Sequence, residues 1–202
     1  MAHSTITGSP LDNPSPSSND GFGSSVSLSS DGTILAVGAP GANEAYVFRY
    51  SGTTWGSSSV VVPSGLGSGA QYGSSVALSA DGATLVVGAT GSNSTYVFVW
   101  NAGLSTWDSL ATLTAPTDST SFGASVAISG DGSTILVGAP GSGSTAGYAC
   151  RYMKSGSTYA LTATYLPQDS VTGDRFGCSV ALANDGSVAT VGAWYKRRAY
   201  IF

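Results

Sequence analysis

Short runs in which hydrophobic and polar positions alternate fill this chain from end to end, and they recur in a fixed order. Over residues 22–28, Phe22, Ser24, Val26 and Leu28 share one side of a period-two pattern, with Gly23, Ser25 and Ser27 on the other. That period predicts a strand, here A, and not a helix. The Ser-x-Asp-Gly stretch that follows, ending at Asp31-Gly32, is the signature of a tight hairpin. Strand B is then TILAVGAP, with Leu35 and Val37 pointing one way. A Gly/Ser-rich loop leads to strand C, which carries Tyr46-Val47-Phe48, and the turn SGTTW leads to a fourth apolar stretch at Val60 to Val62.

The same unit is written four times. An aromatic-Gly pair stands at Phe22-Gly23, Tyr72-Gly73, Phe122-Gly123 and Phe176-Gly177, at spacings of 50, 50 and 54 residues. Asp-Gly recurs at Asp81, Asp131 and Asp185, and Gly-Ala at Gly38, Gly88, Gly138 and Gly192. An aromatic triplet closes each unit: Tyr46-Val47-Phe48, Tyr96-Val97-Phe98, Tyr148-Ala149-Cys150 and Tyr200-Ile201-Phe202. Fourth apolar stretches follow at Leu110 to Leu113 and Leu161 to Leu166.

Four strands per unit of about 50 residues, with no helical period, is the pattern of a propeller blade; a solenoid is the rival architecture. The phase of the chain favours a ring. It begins with an isolated strand candidate at residues 4–7 and ends on the third strand of the last unit, so the N-terminal strand is expected to complete the last blade and remove the sheet edges that invite aggregation. The expected fold is therefore all-β: a single propeller domain of four four-stranded antiparallel blades over residues 1–202. Its units are approximately 11–62, 63–113, 114–166 and 167–202, the last with strand 4–7 added.

The succession F-G-x-S-V, D-G and V-G-A-P resembles the FG-GAP repeat, the unit of integrin-α-like propellers. The resemblance covers nearly the whole chain. The fourth unit departs from it, with Trp194 in place of the Pro and a short WYKRR loop in place of the Gly/Ser loop. Integrin-like propellers have seven blades and four units are visible here, so the chain is either a small closed ring or a piece of a larger one. The resemblance implies a recognition or adhesion module at the cell surface or outside the cell. It also implies that the B–C and D–A connections lie together on the face used for ligands.

Composition narrows the function. Only 9% of residues are charged against 42% hydrophobic, where about a quarter is usual, so Ser, Thr, Gly and Asn must supply the polar surface. Net charge is −4, and it is uneven: residues 1–150 hold one cation and eight acids, residues 151–202 six cations and three acids. The uniformly basic character of a nucleic-acid binder is missing. No apolar run is long enough to span a membrane, and the start, MAHSTITGSP, shows neither a basic nor an apolar leader region. Cys150 and Cys178 are read as two small strand hydrophobes or as a single bridge.

Candidate chemistry is sparse. Integrin-type repeats hold Ca²⁺ in a D-x-D-x-D-G loop, but here the A–B loop is reduced to one carboxylate, too few for a cage of six to eight oxygens. The four aspartates are read as turn residues that cap their own backbone, and neither metal nor cofactor is expected. His3 is the one histidine and sits at the terminus, which leaves the many serines without a general base. Asp169 and Asp174 share a loop, with Glu44 and Asp118 on others. A glycosidase-like pair drawn from these is the remote alternative to solvated acids.

Gly23, Gly73, Gly123 and Gly177 are read as permitting close strand and blade approach. Function is then left to the loops: B–C loops at residues 42–45, 92–95, 142–146 and 194–198, and D–A loops at 14–21, 64–71, 117–121 and 168–175. The best candidate site is Trp194, Tyr195, Lys196, Arg197 and Arg198, two aromatics beside three cations, residue types enriched at binding hot spots. Asn43, Glu44 and Asn93 extend it on the neighbouring loops, and Asn93-Ser94-Thr95 is also a glycosylation sequon. The expected partner is a protein or glycan ligand. A structural subunit, with the acidic first unit of one copy meeting the basic fourth unit of another, is the second expectation.

Overall fold

The computed structural model describes residues 10–56, 59–116, 121–141 and 145–202. It is a four-blade β-propeller, its antiparallel sheets succeeding one another with the A strands innermost. Blade 1 comprises β1 (Ser25–Leu28), β2 (Ile34–Ala39), β3 (Glu44–Arg49) and β4 (Ser59–Val61), and blade 2 comprises β5 (Tyr72–Leu78), β6 (Thr84–Ala89), β7 (Ser94–Asn101) and β8 (Thr106–Thr114). Blade 3 is β9 (Ser125–Ile128), β10 (Thr134–Ala139), β11 (Tyr148–Ser155) and β12 (Thr158–Tyr165), and blade 4 is β13 (Phe176–Leu182), β14 (Ala189–Ala193) and β15 (Arg198–Ile201). Strand order follows chain order in every blade. The strand expected at residues 4–7 lies outside the described residues, as does His3, and among the described residues blade 4 has three strands. No helix among them is long and apolar enough to cross a membrane.

The Asp-Gly turns are built as the sequence suggests. Asp31 Oδ1 accepts from Ser29 Oγ (2.6 Å) and Thr33 N (3.0 Å), Ser29 Oγ accepts from Ile34 N (2.9 Å), and Gly32 takes φ +69°. Asp81 and Asp131 repeat this in blades 2 and 3. Because these carboxylates accept from their own turns, their acidity rises: the Ser129 hydroxyl first, then Ser133 N–H, lower Asp131 to about 2.

Strand A departs from simple alternation. In blade 2, Tyr72 pairs with Ala89 but Ser75 pairs with Gly88, so Gly73 and Ser74 form a bulge, and blade 4 bulges between Phe176 and Ser179. Tyr72, Val76 and Leu78 share one core cluster. The serine after the glycine does not share their face: Ser74 leaves the ladder and bonds Thr90 Oγ1 (3.0 Å).

Blades are joined by a repeated seam. A Cβ on Gly38, Gly88 or Gly138 would stand 2.0, 2.0 or 2.1 Å from the carbonyl oxygen of Gly73, Gly123 or Gly177 in the next blade, a separation only glycine permits. Ser25, Ser75 and Ser125 Oγ donate to those same carbonyls at 2.9, 2.7 and 2.8 Å. Behind the seams lie three apolar clusters, one between each pair of consecutive blades. Ile34, Ala36 and Val47 of blade 1 meet Tyr72, Leu85 and Val87 of blade 2, and the pattern shifts one blade at a time.

Two faces have no blade against them among the described residues. On blade 1, Val26 and Leu28 are 63% and 56% exposed where their blade 2 counterparts, Val76 and Leu78, are both 7%. On blade 4, Val188 and Ile201 are exposed.

Candidate functional site

The D–A and B–C loops interlock on one side of the propeller. Gly41 N donates to Asp20 O (2.8 Å), and Gly91 N donates to Ala70 O (2.9 Å). In blade 4 side chains replace these backbone links. Lys196 Nζ lies 3.0 Å from Asp174 Oδ2 and 3.3 Å from Asp169 Oδ2, Arg198 pairs with Asp169 Oδ2, and Tyr200 OH donates to Asp169 Oδ1 at 3.0 Å.

This network gives the WYKRR loop a structural reason that residue type alone did not reveal. Lys196 and Arg198 are neutralised by Asp169 and Asp174 of the adjacent D–A loop, 22 to 29 residues earlier in the chain. All three aspartate–cation contacts lie within one chain. Asp174 sits below the ordinary carboxylate range because Val171 N–H and then Lys196 bond its anion. At Asp169 burial is the largest influence and opposes ionisation, but Tyr200, Lys196 and Arg198 outweigh it and its acidity also rises. A glycosidase acid needs the opposite shift, a carboxyl that keeps its proton near neutrality.

What the network leaves outside is aromatic. Trp194 and Tyr195 are both exposed, their ring centroids 4.6 Å apart and tilted by 41°. The Arg175 guanidinium lies 5.4 Å from the Tyr195 ring centroid, within cation–π range. Arg197, whose φ of +56° turns the loop, is exposed and has no ion pair among the described residues. Trp194, Tyr195 and Arg175 thus form one outward patch beside the braced loop, with Arg197 exposed on that same loop. Arg175 was the member that sequence spacing missed, because its D–A loop reaches the patch only in the folded blade.

The three other candidates are placed elsewhere. Asn43 and Asn93 stand at the blade seams in left-handed conformations, φ +57° and +48°, and their Oδ1 atoms accept from Tyr72 N (3.4 Å) and Phe122 N (3.2 Å) of the next blade. The sequon residues Ser94 and Thr95 are buried. Glu44 accepts a hydrogen bond from Tyr46 OH, and burial first, then Glu44, push that phenol up to about 12. None of the three adjoins the Trp194 patch through a hydrogen bond. Residues 117–120 and 142–144, which carry Asp118 and much of two loops expected on this face, lie outside the described residues.

Cys150 and Cys178 are both free thiols. Cys150 lies in the core between blades 2 and 3, where burial raises its thiol to about 11; Cys178 Sγ meets Gly192 O at 3.4 Å.

The repeated four-stranded sheets and glycine seams define a β-propeller built from tandem repeats. The FG-GAP repeat matches residues 14–48, 107–162 and 159–202, more than half of the chain, and the chain belongs to that family. No curated protein matches its sequence. Among solved structures it is similar to a putative 6-phosphogluconolactonase from Bacteroides fragilis, with 14% identity over 88% of this chain and 49% of that one and a TM-score of 0.64. It is also similar to the β-propeller domain of Cps50 from Myceliophteria thermophila, with 12% identity over 88% and 52% and a TM-score of 0.61. For hydrazine synthase from Kuenenia stuttgartiensis the values are 16%, 91%, 45% and 0.57. At these identities the likeness is one of fold alone, and the chain spans about half the length of each.

Proposed function

We propose that this FG-GAP propeller is a non-enzymatic recognition module of the cell surface or extracellular space, binding a protein or glycan ligand through its loop face with Trp194 and Tyr195 as anchors. The observation that carries this reading is an exposed aromatic pair, flanked by Arg175 and Arg197, on a loop that an ion-pair network holds in place. Exposed Trp and Tyr offer large amphipathic contact area with few rotors to freeze, and bracing reduces the ordering cost of binding.

The test is to apply the purified chain and its Trp194→Ala/Tyr195→Ala variant to arrays of immobilised glycans and extracellular-matrix proteins. The expected result is a defined set of ligands bound by the parent and lost in the variant, with the melting temperature unchanged. A parent that binds neither array, or a variant that binds as well as the parent, would overturn the reading. A structural role in a larger assembly is the second reading, and the open faces of blades 1 and 4 favour it.

A further inference from the structure

The blade seam is directional. Each blade offers the next a serine donor and a glycine without a side chain, and receives them through the carbonyl of its own aromatic-Gly pair. Amides of the A–B turns repeat the direction: Ser30 N donates to Ala80 O (2.8 Å), Ala80 N to Gly130 O (2.9 Å) and Gly130 N to Asn184 O (2.7 Å). Three joints are made in this way, and one set of halves remains at each end.

Among the described residues, the outgoing half on blade 4 is intact and unused. Ser179 Oγ stands over Gly192 as Ser25 does over Gly38, but no carbonyl approaches a Cβ built at Gly192, where the other three blades have one within 2.1 Å. Around it Ala181, Val188 and Ala199 are exposed, and Ile201 is 76% exposed although its equivalent Val97 is fully buried. A shallow cavity of about 160 Å³ lies between Ser179 and Ala199.

On blade 1 the incoming half is equally unused among the described residues. Gly23 and Gly32 have nothing within 4 Å of a built Cβ, whereas Gly73, Gly123 and Gly177 press on backbone of the preceding blade, and Gly82, Gly132 and Gly186 on Ile34, Thr84 and Thr134. Val26 and Leu28 are bare there, beside a cavity of about 640 Å³ lined by Leu11, Leu28, Leu35, Tyr50 and Trp55.

We propose that these are the two halves of one joint and that a second copy of this chain supplies what each lacks, so that two chains close a ring of eight blades. Ser179 Oγ of one copy donates to the Gly23 carbonyl of the other, the Asn184 amide to the Ser30 carbonyl, and Val188 lies against Gly32 as Thr84 lies against Gly132. Both joints are identical and head-to-tail, and a two-fold axis closes them. A second copy is favoured over another occupant because the faces repeat surfaces that already mate three times within the chain.

The test is the mass of the full chain by size-exclusion chromatography with light scattering, for the parent, Val26→Lys/Leu28→Lys and Ile201→Lys. Since these side chains are solvent-exposed, folding should survive, which thermal melts check. The expected result is about 40 kDa for the parent, twice the 20.1 kDa chain, and about 20 kDa for both variants. A parent at 20 kDa at its highest soluble concentration overturns the proposal, as it would if the faces took a different partner. So does a 40 kDa species that survives both variants, or one that grows without limit, since an open filament is not a ring.

Discussion

Replacing Gly88 with alanine should open a seam in the middle of the molecule. The added Cβ would stand 2.0 Å from the Gly123 carbonyl oxygen and 2.4 Å from Ser75 Oγ, so blades 2 and 3 would have to separate by more than 1 Å, about the shortfall from ordinary van der Waals contact. Overpacking of this kind costs roughly 1–3 kcal/mol. The separation also breaks the 2.7 Å bond from Ser75 Oγ to Gly123 O, and a buried carbonyl left unpaired adds about 1–3 kcal/mol. The sum is about 2–6 kcal/mol, which for a domain of this size lowers Tm by about 4–24 °C at roughly 2–4 °C per kcal/mol. Gly67→Ala is the control: it is exposed, its built Cβ meets nothing, and no positive φ constrains it. That substitution should be neutral or stabilise by up to about 1 kcal/mol. Differential scanning calorimetry of both variants checks the difference. A Gly88→Ala melt within about 2 °C of the parent would refute the close-packed seam.

Asn43→Ala should destabilise by about 1–3 kcal/mol in chemical melts, because it strips the acceptor from Tyr72 N–H and places alanine at φ +57°; Asn43→Gly should recover part of the loss. Acid should weaken the fold between about pH 4 and pH 2. Asp131 is lowered in the folded state from 3.8 to about 2, so its contribution is complete above the unfolded value and is lost as pH falls through the folded one; Asp131→Asn should show a shallower decline in Tm over that window. A thiol reagent should find Cys150 protected in the native protein and reactive after denaturation, since it is buried with its thiol raised to about 11.

The repeat made the fold legible. Asp-Gly and aromatic-Gly pairs carry backbone requirements, a left-handed Gly32 and a bulge at Gly73, and requirements of that kind show in residue identity. The close blade-to-blade contacts of the seam were hidden in the Gly-Ala pairs. Gly38 reads as an ordinary strand residue until the next blade's carbonyl is placed beside it, and no local pattern encodes a neighbour 35 residues ahead. Trp194 and Tyr195 were legible as outliers because aromatics on a loop have no packing role to play. The partners of Lys196 and Arg198 were not, because Asp169 and Asp174 join them only across the blade. The seam bonds of Asn43 and Asn93 were not legible either, since a polar loop residue looks the same in sequence whether it meets solvent or the next blade's amide.

Amide hydrogen exchange at the A–B turns tests the repeated joint most directly, because one amide in each blade occupies the same position. Ser30, Ala80 and Gly130 each donate across a seam, so their exchange should be slow and should report the opening of the blades. Asn184 holds the fourth position, and it should be slow in the parent and fast in Ile201→Lys, where the joint to a second copy is broken. Rapid exchange at Ala80 and Gly130, at the rate of unstructured amides, would contradict the seam itself; equal exchange at Asn184 in parent and variant would contradict its reuse between chains.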